Sequence, residues 1–273
     1  MKQRPLRAVR GPLSLALLAT LSAGLLSGGA AIALDQQAGT AHPALWPQLR
    51  SPLKPDPKLE ARIDALLARM SPEEKVGQVV QADIASVTPD DLKTYRLGSI
   101  LAGGSSDPGG QYNAPANAWL ALADDFYAAS MDTSGGKYNA IPVIFGVDAV
   151  HGHNNVVGAT LFPHNIGLGA THDPALMGQI AQATAAEMRA TGIDWTFAPT
   201  LAVPQDDRWG RTYEGYSENP DVVRAYAGPL IQGLQGKPGS QDFLKGAHVV
   251  ATAKHFLADG GTFEGRDPVS YTH

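Results

Sequence analysis

The chain contains no cysteine, and that one absence removes disulfide staples, thiolate nucleophiles and cysteine-based zinc sites together. Charge is scarce as well: 17% of the 273 residues are charged against 44% hydrophobic, a balance that argues against a disordered polar chain and against a coiled coil. The formal net charge is −5, and basic residues do not cluster beyond the first ten positions, so nucleic acid is set aside as a partner. An uninterrupted membrane-length run is also lacking, since the apolar stretch Leu13 to Leu26 is too short to span a bilayer. It follows Lys2, Arg4, Arg7 and Arg10 and precedes Ala31-Ile32-Ala33, an A-x-A cleavage site, which makes residues 1–33 a secretory signal peptide. The expectation is an exported, bacterial-type protein, periplasmic or extracellular, with no membrane attachment after cleavage.

What remains is long enough to bury a substantial core. Residues 34–57 are rich in proline and polar side chains without a period, and they read as a leader. Pro57 then opens a helix with Leu59, Ile63, Leu66, Leu67 and Met70 on one face. Ser71-Pro72-Glu73-Glu74 carries a cap, a first-turn proline and an acid, so a second helix is expected to about Gln81. Helices are further expected over Ala116 to Ser130, from Asp173-Pro174 to Gly192, and from Asn219-Pro220 toward Gly233 or Gly236, with Pro229 kinking or splitting the last. Between them lie four apolar runs that read as strands: Leu97 to Ala102, Ile141 to Phe145, Ile193 to Pro199 and Val249 to Ala253. Strands alternating with helices of crossover length define a parallel α/β protein.

Ligand-gripping residues follow three of the four strands at once. Asp148 comes after the second, Asp206 through Arg211 after the third, and Lys254-His255 after the fourth. In parallel architectures such positions converge at one end of the sheet. Arg208 and Arg211 sit among four acids, so one arginine can be fixed by Glu214 or Glu218 while the other offers its planar fork to vicinal oxygens. A lysine closing an apolar strand needs a cavity to point into. One acceptor and several donors, in Asp148, Arg211, Lys254 and His255, suit a polyhydroxylated ligand. The spacing of Asp148, His151 and His153 admits a rival, a metal-dependent hydrolase, although no H-E-x-x-H or other full ligand set accompanies them. Loop support by hydrogen bonds is the preferred role for both histidines.

These motifs resemble glycoside hydrolase family 3. The carriers are Leu97-Gly98-Ser99-Ile100-Leu101, Asp148-Ala149-Val150-His151-Gly152-His153-Asn154-Asn155, Phe162-Pro163-His164-Asn165, Arg208-Trp209-Gly210-Arg211 with Tyr213-Glu214, and Ala253-Lys254-His255-Phe256. The resemblance implies a (β/α)8 TIM-type barrel, of which residues 58–265 are roughly the first half, with residues 266–273 an atypical tail. It also implies removal of terminal, non-reducing β-D-glucose from β-glucosides or β-glucans by a retaining double displacement that uses two carboxylates and no cofactor. By position, Asp148, Arg211, Lys254 and His255 match the residues that grip the sugar hydroxyls, with Gly104 a loop glycine nearby. The N-acetylglucosaminidase branch carries K-H-F-P-G-H-G, whereas Lys254-His255-Phe256-Leu257-Ala258-Asp259-Gly260 stands here, which favours the glucosidase branch. The nucleophilic Asp and the acid/base Glu are expected beyond residue 273, so this chain alone should be inactive. A non-catalytic sugar-binding module is the other alternative.

Overall fold

A computed structural model describes residues 53–134 and 138–267, together with residues 44, 50 and 51. The expected signal peptide and most of the leader fall outside the described residues, as do residues 268–273 of the tail. Among the described residues no helix is long and apolar enough to cross a membrane.

The first helices are set by their caps. Helix α1, Pro57–Arg69, starts where the Asp56 carboxylate accepts from the amides of Lys58 and Leu59. Helix α2, Pro72–Gln78, carries a full capping box: Ser71 Oγ accepts from Glu74 N at 3.2 Å and Glu74 Oε2 accepts from Ser71 N at 3.0 Å. The other Glu74 oxygen accepts from Asn139 N at 2.8 Å, which ties this helix to the approach of a later strand. A short strand β1, Gln81–Asp83, and helix α3, Pro89–Tyr95, follow. They are succeeded by β2 (Ser99–Ala102), α4 (Ala116–Met131), β3 (Ile144–Val147), α5 (Asn165–Gly169), α6 (Pro174–Ala190), β4 (Trp195–Thr196), α7 (Pro220–Gln235) and β5 (Val250–Ala251).

The five strands form one parallel sheet in the order β1-β2-β3-β4-β5. Four strands were expected, and the additional one is β1. The second helix therefore ends at Gln78 rather than near Gln81, because Gln81 already pairs with Ser99. The remaining strands lie within or beside the apolar runs, though they are shorter: Trp195–Thr196 within Ile193 to Pro199, and Val250–Ala251 within Val249 to Ala253. Pro229 does not split α7, which runs unbroken through it. Small residues let α6 and α7 lie close, and a Cβ on Gly233 would meet the Gly178 carbonyl oxygen at 2.6 Å.

The core lies between the sheet and its helices. Trp119 and Phe126 of α4 are fully buried, with the Trp119 ring 6.4 Å from that of Phe145 on β3. Met177 and Met188 of α6 and Tyr226 of α7 are buried in the same cluster. This packing fixes the strands and leaves their carboxyl ends open to loops. There Asp83 ends β1: burial alone would raise its carboxyl, and hydrogen bonds from Ser106, Ala85 N–H and Gly103 N–H outweigh it and hold the group below the usual carboxylate range.

Candidate active site

Beyond β3, β4 and β5 the chain builds a polar cleft of about 240 Å³ from Asp148, Val150, His151, Asn154, His164, Asn165, Arg211, Tyr213, Glu214 and Lys254. Strand β5 continues past Ala251 through backbone pairing with the chain beyond β4. Lys254 N donates to the Pro199 carbonyl at 3.0 Å and Leu201 N donates to the Lys254 carbonyl at 2.7 Å. That pairing aims the lysine inward, where its Nζ donates to Asp148 Oδ1 at 2.5 Å. The lysine side chain is 15% exposed and the aspartate 45%, so the pair is seated at the cleft wall with the carboxylate open to it.

Asp148 is placed by the loop that follows β3. Ala149 N donates to Thr196 Oγ1 at 3.3 Å, fastening that loop to β4. The Asn154 amide donates to the carbonyls of Asp148 at 2.8 Å and Gly152 at 3.1 Å. The two histidines expected to support this loop do so in different places. His151 Nδ1 lies 2.9 Å from the Phe162 carbonyl, which can only accept, so the proton is on Nδ1. Its ring packs on His164 at 4.4 Å, and His164 in turn meets Tyr213 edge-on at 4.8 Å. His153 is fully buried away from the cleft, with Nε2 2.9 Å from Thr191 Oγ1 at the end of α6 and Nδ1 without a hydrogen-bond partner. Of that pair only His151 lines the cleft, so the two imidazoles of the metal-dependent reading, His151 and His153, do not converge on one position. Among the described residues no three His, Asp or Glu side chains gather as metal ligands.

The arginine pair is divided differently from expectation. Arg208 turns outward onto Asp206, with contacts from 2.7 to 3.2 Å, and is 68% exposed. Arg211 faces the cleft, and it is also the one fixed by a glutamate: Nε donates to Glu214 Oε1 at 2.7 Å and Nη2 to Oε2 at 2.6 Å. The Glu214 contact raises the guanidinium above its already high usual range despite partial burial. One edge of the fork is thereby committed, and only the edge carrying Nη1 and Nη2 faces onward.

His255 does not line this cleft. It stands in an adjoining, more apolar hollow of about 560 Å³ that shares Lys254, and it touches the cleft through Arg211 Nη2, 3.3 Å from its Nε2. Gly104 is not brought to the cleft either. It sits on the exposed loop after β2, with nothing within 4 Å of the place a Cβ would occupy. Conversely, His164, Asn165, Tyr213 and Glu214 line the cleft without having been singled out as ligand residues. The motifs Phe162-Pro163-His164-Asn165 and Tyr213-Glu214 carried that signal.

The chain matches the glycosyl hydrolase family 3 N terminal domain over residues 71–268, and it belongs to that family. Its sequence is 54% identical to the exo-1,3/1,4-beta-glucanase of a Pseudoalteromonas species, with a TM-score of 0.77 over 81% of this chain and 27% of that one. It is 35% identical to a lysosomal beta glucosidase of Dictyostelium discoideum over 75% of this chain and 26% of the relative. A periplasmic beta-glucosidase of Salmonella typhimurium is 28% identical over 89% of this chain and 28% of its own length. The chain therefore spans about a quarter of the length of the relatives it matches.

Proposed function

We propose that this chain forms the front half of a (β/α)8 barrel in an exported, retaining β-glucosidase or exo-β-glucanase, and that its part is to hold the terminal, non-reducing glucose. The observation that carries this reading is the convergence of Asp148, Lys254 and Arg211, from the ends of β3, β5 and the loop after β4, on a polar cleft of about 240 Å³. An anionic acceptor beside two cationic donor groups matches the alternating donors and acceptors of a hexose. The names of the relatives support the glucoside as substrate, and the amino-terminal sequence supports export.

Chemistry falls to groups outside this chain. A retaining mechanism needs two carboxyls about 5–5.5 Å apart, one to attack the anomeric carbon and one to protonate the leaving oxygen. The two acids in the cleft, Asp148 and Glu214, are each neutralised by a cation, Lys254 and Arg211 respectively, and serve in grip and alignment. No metal or cofactor enters the reaction as proposed. The test is calorimetric titration of glucose into residues 34–273 alongside nitrophenyl β-glucoside turnover, the latter repeated in a protein that joins this chain to the remainder of a family 3 enzyme. Glucose binding by the short chain with turnover only by the long one is expected. Turnover by the short chain, abolished by one acid-to-amide change, would overturn the division of labour, and preference for a nitrophenyl β-xyloside would overturn the glucose assignment.

A further inference from the structure

The side chains behind Arg211 form a line of hydrogen bonds that ends on a buried acid. His255 Nε2 lies 3.3 Å from Arg211 Nη2, and His255 Nδ1 lies 2.7 Å from Asp259 Oδ2. The Asp259 side chain is 5% exposed, and its Oδ2 also takes the His255 backbone N–H at 3.3 Å. A guanidinium has only donors, so the imidazole nitrogen facing it must carry a lone pair. A carboxylate has only acceptors, so the opposite nitrogen must carry the proton. Both constraints give the same answer, a neutral ring protonated at Nδ1.

We infer that Asp259 is a positioning residue for the sugar site: it holds His255 as the Nδ1–H tautomer, so that Nε2 accepts from Arg211 Nη2 and steadies the guanidinium that lines the cleft. The proposal rests on the glucoside reading for its kinetic consequence but not for the tautomer itself. Asp259 is itself held in place. Its carbonyl accepts from Val203 N at 3.0 Å, and Gly260 behind it has φ +88° with a Cβ position 2.8 Å from the Pro204 nitrogen, which leaves no room for another residue. The carboxylate is thus tied to the loop after β4, the imidazole to the end of β5, and the guanidinium beyond the imidazole is clamped from its other side by Glu214. Without the acid the ring is free to take the Nε2–H form, which would set one N–H against another at Arg211. Second partners of this kind fix which nitrogen of a working histidine is protonated, and thereby what it can recognise.

The test has two arms. In the first, the intact chain is labelled with nitrogen-15 histidine, the His255 signals are assigned by their loss in His255→Gln, and the two ring nitrogens are read by long-range proton–nitrogen correlation. A protonated Nδ1 and a bare Nε2 are expected, and a protonated Nε2 in the wild-type chain overturns the proposal outright. The second arm measures nitrophenyl β-glucoside turnover, in the protein joining this chain to the rest of a family 3 enzyme, for Asp259→Asn alone and on a His255→Ala background. A loss of about 10-fold or more in kcat/KM alone, shrinking to under about 2-fold on the His255→Ala background, is the expected signature of action through the histidine, since coupled residues are non-additive. Equal losses on both backgrounds would make Asp259 a support of the loop alone and would sink the idea. If no glucoside is turned over, the functional reading fails, and the tautomer arm still decides the role of Asp259.

Discussion

Lys254 Nζ and Asp148 Oδ1 meet at 2.5 Å although 106 residues separate them, and the contact crosses the end of β4 to join the ends of β3 and β5. Such a contact exists only because the parallel sheet brings alternate strand ends to one side. Asp148→Asn removes the charge from the cleft and leaves a mostly buried ammonium with a neutral partner. Glucose affinity is expected to fall about 10- to 100-fold, the equivalent of one charge-assisted hydrogen bond of about 1.5–3 kcal/mol. Calorimetry on the variant checks it, and an unchanged affinity would return Asp148 to a loop carboxylate.

Arg211→Lys preserves the charge and removes the shape. A lysine cannot satisfy both Glu214 oxygens and reach His255 at once, whereas Arg211 makes contacts of 2.7, 2.6 and 3.3 Å in those directions. Turnover of a β-glucoside by the protein joining this chain to the rest of a family 3 enzyme is expected to fall by about 100-fold or more, with weaker glucose binding. Kinetics within error of the parent would mean that the arginine serves the loop and not the ligand.

The βα alternation was legible because its elements carry strong local signals. Asp56-Pro57, Ser71-Pro72, Asp173-Pro174 and Asn219-Pro220 each place a cap before a first-turn proline, and each begins a helix in the structure. Strand β1 carries no such signal: Gln81-Ala82-Asp83 is three residues long with two polar side chains, and only pairing with β2 makes it a strand. The motif arginines could not be told apart by composition, since Arg208 and Arg211 have acids on both sides. What separates them is that Asp206 lies two residues before Arg208 and bends that side chain outward, whereas Glu214 lies one turn beyond Arg211. His255 and Lys254 are adjacent in sequence, yet only the lysine lines the polar cleft, while the histidine stands in the hollow beside it.

Glu74 offers a stability prediction remote from the cleft. It is buried and accepts from Ser71 N, Asn139 N and the Asn139 amide, so it serves as helix cap and as tether to the segment leading into β3. Glu74→Ala is expected to cost about 2–3 kcal/mol through loss of the capping box and of the charge-assisted bonds to Asn139. Urea denaturation of wild type and variant gives the difference directly. A change below about 0.5 kcal/mol would show that Asn139 and Ser71 find water as good a partner.

His153 should make stability fall in acid. Burial away from solvent pushes its imidazole down from 6.5 to about 4, with the Glu187 charge opposing the shift only in part. Because the folded value lies below the unfolded one, the unfolded chain binds the proton more readily. The stabilisation is fully present above about pH 6.5 and is lost progressively as pH falls toward 4. At 1.36 kcal/mol per pH unit this amounts to roughly 3 kcal/mol across the window. The affected segment is the one that matters for binding, since His153 anchors the loop bearing Asp148 to Thr191. His153→Gln keeps a polar group of similar reach opposite Thr191 but does not titrate, so its denaturation midpoint should vary less between pH 6.5 and 4 than that of wild type. In the protein joining this chain to the rest of a family 3 enzyme, the same substitution should reduce β-glucoside turnover less than Asp148→Asn does, because His153 lines no part of the cleft. Midpoints that track each other across that range in both proteins would mean that the acid sensitivity arises elsewhere, and the reverse ranking of turnover would put His153 in the site.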